Sequence, residues 1–267
     1  MRGATDCVTP YPKYFAADGL WMPPGINMSH VDEAQTPEDT TMPLKSAVSA
    51  VRGKHRVFLL SPADSSGRRA GLLLREQARF DLAMRIRESG APLGEIFSFI
   101  SGLYFRGKLA YARTFATPPI TGAASSVLII TASRGLLPPE VCLRIAELKN
   151  MASVPITASD PRYRVPLERD AARLASELGT GCEVVLLGSI ATPKYVDPLL
   201  SIFGDRLTFP AEFVGRGDMS RGGLMLRSVR EGIQLAYTPV ANATRHGIRP
   251  PKLPKSFSNL SKRREQH

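Results

Sequence analysis

The stretch that decides the fold runs Arg56-Val57-Phe58-Leu59-Leu60-Ser61-Pro62-Ala63-Asp64-Ser65-Ser66-Gly67-Arg68-Arg69. Four consecutive apolar residues stop at a serine–proline pair and give way to hydroxyls, a carboxylate, a glycine and two arginines. An apolar run without polar alternation is how a strand buried on both faces reads. The same pattern returns three times. Val127-Leu128-Ile129-Ile130 stops at Thr131-Ala132-Ser133-Arg134-Gly135, and Glu183-Val184-Val185-Leu186-Leu187 stops at Gly188-Ser189. Arg206-Leu207-Thr208-Phe209, followed by Phe213-Val214, stops at Gly215-Arg216-Gly217-Asp218.

Helical patterns separate these runs: Leu72 to Glu88, Pro92 to Phe115 with Gly102 and Gly107 as candidate breaks, Pro138 to Asn150, Pro166 to Leu178, Tyr195 to Phe203, and Gly223 to Arg230. Strands alternating with helices predict an α/β protein. The expected architecture is a three-layer fold, with a mainly parallel four-stranded central sheet and helices on both faces.

The 267 residues carry a net charge of +11, distributed unevenly. Residues 1–54 have a net charge of −1, whereas residues 55–240 and 241–267 carry +6 each. Residues 1–54, dense in Pro, Thr, Met and Gly with no sustained period, read as an extended or disordered segment, followed by an α/β domain (55–240) and a basic tail (241–267). Of the 23 basic side chains in the domain, 20 are arginines, the better fork for phosphates and the better stacking partner for bases. A polyanionic partner is favoured.

No apolar run approaches the roughly 20 residues that a membrane helix needs, and the N-terminus lacks the pattern of a secretory signal. A cytoplasmic protein without membrane contact is expected. Cys7, Cys142 and Cys182 lie far apart with no CxxC, against an iron–sulfur cluster. The four histidines (His30, His55, His246, His267) join no Cys/Asp cluster, so no metal is expected. Neither a Walker motif nor GxGxxG is present, which gives ATP and NAD no support, and the absence of GxSxG together with the near absence of histidine from the core argues against serine hydrolase chemistry. No cofactor is expected.

In a parallel sheet the ligand lies at the carboxyl ends of the strands, and all four exits here are rich in Gly, Ser, Arg and Asp. Free N–H groups on flexible glycines, arginine pairs and helix N-termini together make a phosphate cradle. A second set, Glu95, Tyr104, Arg106, Lys108 and Tyr111, interleaves aromatics with cations in a manner that suits base stacking and phosphate contact. Glu95 stands out as a carboxylate amid apolar sequence, where burial would require a partner.

Leu103–Ala112 (LYFRGKLAYA), Val184–Thr192 (VVLLGSIAT) and Phe213–Gly223 (FVGRGDMSRGG) resemble stretches of a widespread group of bacterial proteins. The plan of strand-exit loops is similar to that of the uracil-DNA glycosylase superfamily, including the glycosylase-like domain of archaeosine-synthesis proteins. Some phage-defence members of that superfamily remove glucosylated hydroxymethylcytosine from viral DNA. The likeness covers about 70% of the chain in plan, while the GQDPY-like and HPSP-like motifs of the superfamily are absent. By position, Asp64 stands where the superfamily places its polar water-activating residue, and Gly215–Gly223 stands where its minor-groove loop belongs.

The resemblance implies a DNA glycosylase that hydrolyses the N-glycosidic bond of a modified base and leaves an abasic site. One carboxylate orients water and stabilises the cationic sugar, while donors hold the departing base. Asp64 is the first candidate for the carboxylate and Asp218 the second. Ser61, Ser65, Gly188 and Ser189 would line the base pocket and Tyr104 would stack on the base. Arg68, Arg69, Arg134, Lys194, Arg216 and Arg221 would hold backbone phosphates. The partner would be DNA, modified and of phage origin in the sharpest form of the reading. Two alternatives stand beside it: an enzyme or sensor for a nucleotide or sugar phosphate, and a non-catalytic nucleic-acid-binding module.

Overall fold

The computed structural model describes residues 55–117 and 125–251. The expectations for residues 1–54, and those for the tail beyond residue 251, lie outside the described residues.

In chain order, β1 (Arg56–Leu60) leads to the short helices α1 (Arg68–Leu74) and α2 (Asp81–Glu88). A two-residue strand, β2 (Ala91–Pro92), opens onto α3 (Leu93–Ser101), and the chain breaks at Gly102 before α4 (Leu103–Phe115). β3 (Val127–Ile130) turns back into β4 (Leu136–Leu137). β5 (Cys142–Leu143), α5 (Ile145–Ala152) and α6 (Pro161–Glu177) follow, then β6 (Glu183–Leu187) and α7 (Pro193–Phe203). β7 (Leu207–Pro210), α8 (Asp218–Glu231) and β8 (Tyr237–Pro239) complete the series.

The main sheet has six strands in the order β4-β3-β1-β6-β7-β8. β3, β1, β6 and β7 run parallel, and these are the four strands expected from the apolar runs. β4 and β8 add antiparallel edges, so the expected count of four is corrected to six. The edge strands are only two and three residues long, too short to show as runs. A separate antiparallel pair joins β2 to β5.

Val57 to Leu60 and Val184 to Leu187 are fully buried, as strands covered on both faces should be. Each such side chain contributes about 1.5–3 kcal/mol through burial. The chain passes from β1 to β3 on one side, then crosses to β6 on the other. The carboxyl ends of β1 and β6 therefore flank the point where the winding reverses, which is where open α/β sheets place their ligands.

Several helices differ from expectation. Leu72–Glu88 divides into α1 and α2. Pro138–Asn150 gives up its first residues to β5, and α6 begins five residues earlier than expected, at Pro161, whose fixed φ suits a first turn. Phe213 ends a 3-10 turn (Ala211–Phe213) after β7 and Val214 follows it, so neither belongs to the strand. α4 breaks at Gly102 as anticipated but runs straight through Gly107. A Cβ at Gly107 would lie 2.8 Å from the Gly222 carbonyl oxygen, and one at Gly222 would lie 2.9 Å from that of Leu103. The two glycines let α4 and α8 touch backbone to backbone, bringing the N-terminus of α8 beside Tyr104 and Lys108.

Candidate functional site

A cavity of about 580 Å³ opens at the carboxyl ends of β1 and β6. Its walls are the loop Ser61–Ser66 after β1, Ser189, Lys194 and Tyr195 after β6, and Tyr104 on α4. Asp218, the first residue of α8, and the segment Met151–Ile156 close it. Pockets of 300–1,000 Å³ hold drug-sized ligands, so a nucleoside or a small sugar phosphate fits this one.

Beneath the β1 wall lies Lys108. Its side chain is 1% exposed, and Nζ stands 2.5 Å from the Ser61 carbonyl oxygen and 2.9 Å from Ser61 Oγ. The amine also lies 4.4 Å from the Tyr104 ring centroid and 4.8 Å from that of Phe105. Among the described residues no carboxylate comes within ion-pair distance of it. Burial lowers the Lys108 pKa to about 7; Arg221 and Lys194 push the same way, and Asp218 opposes them. The Tyr104 hydroxyl is buried beside the Arg221 guanidinium, and its proton has no acceptor. Burial pushes the Tyr104 and Tyr195 phenols above their ordinary range, so both remain protonated at neutral pH.

The structure gathers most of the expected pocket residues. Ser61, Ser65 and Ser189 line the cavity with Asp64, Asp218 and Lys194. Asp64 is exposed, and its Oδ1 accepts hydrogen bonds from the backbone N–H (3.0 Å) and hydroxyl (2.7 Å) of Ser66, which fix the carboxylate in place. Asp218 is exposed as well, 3.4 Å from Arg221 Nη1. Gly188 lies behind the wall. A Cβ there would meet the Ser61 Cβ at 2.9 Å and the Tyr195 ring at 3.3 Å, so glycine alone lets these walls close up.

Gly188, expected in the pocket lining, is thus corrected to a backing position, and four further expectations need correction. Tyr104 is only 6% exposed and carries Lys108 against its ring, so the ring is not free to serve as a stacking platform. Arg221, 8% exposed, directs Nε and Nη2 at the Phe213 carbonyl (3.2 and 3.1 Å), which removes it as a phosphate contact. Arg134 sits on the turn between β3 and β4, away from the cavity wall, and is ion-paired to Glu147. Glu95 is exposed and paired with Arg85 rather than buried.

The remaining arginines lie outside the cavity. Arg68 and Arg69 are exposed along a neighbouring hollow with Ser66 and Gly67, and the Arg69 guanidinium lies 5.2 Å from the Phe99 ring centroid. Arg216 donates to the Glu212 carbonyl at 2.9 Å and borders a second cavity, of about 600 Å³, between α8 and residues 249–251.

Sequence reasoning named Lys108 as a cation among aromatics but missed its place beneath the cavity, and it did not single out Tyr195. The signal for Lys108 was available. Tyr104, Lys108, Tyr111 and Phe115 follow an i, i+4, i+7, i+11 spacing, the buried stripe of α4, and the second member of that stripe is a lysine.

Among the described residues, no group of three His, Cys, Asp or Glu side chains could hold a metal ion, and no helix is long and apolar enough to cross a membrane. Comparison with protein-family models, with curated proteins and with solved structures finds no match.

Proposed function

We propose that the protein is a DNA glycosylase that hydrolyses the N-glycosidic bond of a modified base. The observation that carries this reading is a nucleoside-sized cleft at the β1/β6 switch point, with the fixed carboxylate of Asp64 on its rim and buried hydroxyls in its wall. In this reading a base flipped out of the duplex enters the cleft. Asp64 orients a water and accepts its proton as the water oxygen bonds to C1′. The C1′–N bond breaks, and the base departs with the electron pair toward the donors of the wall, among them Ser65 and the Tyr104 hydroxyl.

Arg68, Arg69, Lys194 and Arg216 would hold the flanking phosphates, and the strong positive charge of the chain supports a polyanionic partner. The serine-rich wall suits a base that carries a sugar, such as glucosylated hydroxymethylcytosine in phage DNA. A three-layer arrangement with helices on both faces and a cytoplasmic setting belong to the same reading.

The test is incubation with unmodified, uracil-containing and glucosylated-cytosine phage DNA, followed by alkali and a strand-break gel. Alkali-dependent breaks in one substrate, lost in Asp64→Ala, are expected. Intact DNA in every lane would favour the second reading, a nucleotide or sugar-phosphate site, which draws on the size of the cleft and on Lys194 at its mouth.

A further inference from the structure

Lys108 presents a problem that its hydrogen bonds do not solve. A buried ammonium is stable only when paired and fully hydrogen-bonded. Here both hydrogen bonds end on Ser61, and the described residues offer no ion pair. The cations Arg221 and Lys194 act on it unfavourably, and the one carboxylate that helps, Asp218, is exposed to water. The neutral amine fits the same geometry. In the structure Nζ donates to both Ser61 oxygens; a neutral amine keeps one N–H on the carbonyl and turns its lone pair to the Ser61 hydroxyl 2.9 Å away, in competition with the Tyr195 hydroxyl.

A serine hydroxyl aimed at a neutral amine is the arrangement of a nucleophile with its general base. Ser61 also forms part of the cavity wall; it is 4% exposed, and its hydroxyl packs toward Gly188 and Tyr195 at the edge of that wall. The Tyr104 ring stands against the same Nζ, and its buried hydroxyl, beside the Arg221 guanidinium, has no acceptor for its proton.

We propose that Ser61 is a nucleophile activated by Lys108, and that the cavity performs acyl transfer to water on a carboxylic ester or amide of about nucleoside size. Ser61 Oγ bonds to the carbonyl carbon while its proton passes to Lys108 Nζ. The resulting oxyanion collapses, the bond from carbon to the leaving oxygen or nitrogen breaks, and the leaving group takes the proton from Nζ. Water then repeats the sequence on the acyl-serine, releasing the acid and restoring both groups. This activity is separate from base excision and requires no DNA.

The test uses the full chain and a fluorophosphonate, which phosphonylates activated serines with loss of fluoride, read by intact mass and peptide mapping. The expected result is one adduct, on Ser61. It should be absent in Ser61→Ala, slowed about 100-fold in Lys108→Met, and slowed less in Tyr104→Phe. Labelling should rise with pH to a plateau, since only the neutral amine accepts the proton. A folded wild-type protein without a Ser61 adduct would overturn the proposal, as would equal labelling of folded Lys108→Met. Should Lys108→Met fail to fold, the wild-type profile decides: a labelling rate that is flat between pH 5.5 and 9 contradicts the lysine as base. Because labelling uses no nucleic acid, its failure and the failure of the glycosylase reading are separate results.

Discussion

The exits of β1 and β3 share serine, glycine and arginine and have opposite structural fates. Both leave a buried parallel strand through serine, arginine and glycine. After β3 the chain closes at once: the backbone N–H and the hydroxyl of Thr131 both donate to the Gly135 carbonyl at 2.9 Å, and β4 returns beside β3. Asp170, buried from α6, accepts the Leu136 N–H at 3.0 Å and completes the turn. After β1 nothing turns back. The loop stays open over the switch point, above a lysine whose hydrogen bonds both end on Ser61, beside a buried tyrosine hydroxyl whose proton has no acceptor. Polar residues at a strand exit therefore do not define a site. What distinguishes one is hydrogen-bonding capacity that the fold leaves unused.

The sharpest way to break this comparison is to disable one loop at a time. Asp64→Ala should lower base release by roughly 10²- to 10⁴-fold, whereas Arg134→Ala, in the closed loop, should leave it unchanged; a strand-break gel on both variants decides. The reverse holds for stability. Gly135 has φ +64°, and a Cβ there would collide with the Asp170 carboxylate and the Pro166 carbonyl. Gly135→Ala should therefore cost about 2–4 kcal/mol in a chemical melt, and Asp64→Ala less than about 1 kcal/mol.

Lys108 gives the open loop a pH signature. Its pKa falls from an ordinary 10.5 to about 7 on folding, so between these values the unfolded chain binds a proton that the folded chain does not. Stability should therefore rise with pH across that window, relative to Lys108→Met, by up to about 1.4 kcal/mol per pH unit. The advantage is complete above pH 10.5, and below pH 7 the buried charge imposes its full cost. Denaturant melts of both proteins at pH 7, 8 and 9 check this. The smallest expected effect concerns Arg69: Arg69→Ala should lower the salt dependence of DNA binding by about one phosphate contact, with Arg134→Ala as the unchanged control.

How much of this was legible in the sequence depends on length and on partners. The four parallel strands showed because each is a run of apolar residues with no alternation, and their exits showed because Ser61, Gly188 and Gly215 end those runs abruptly. β4 and β8 did not show, because two or three residues carry no period. Gly107 looked like a helix break because its role, contact with Gly222 some 115 residues later, exists only after folding. Arg221 looked like a phosphate ligand for the same reason, since its true acceptor, the Phe213 carbonyl, is not a feature of composition. Lys108 was the hardest, because a lysine in a helix reads as surface unless the apolar stripe around it is counted through.

The account rests on Lys108 being a neutral amine beneath Ser61 at physiological pH. The most direct measurement is NMR titration of the full chain labelled at lysine side chains, with Lys108 assigned by loss of its signal in Lys108→Met. A midpoint near 7 is predicted. A Lys108 that titrates near 10.5, with the exposed lysines, would contradict the account.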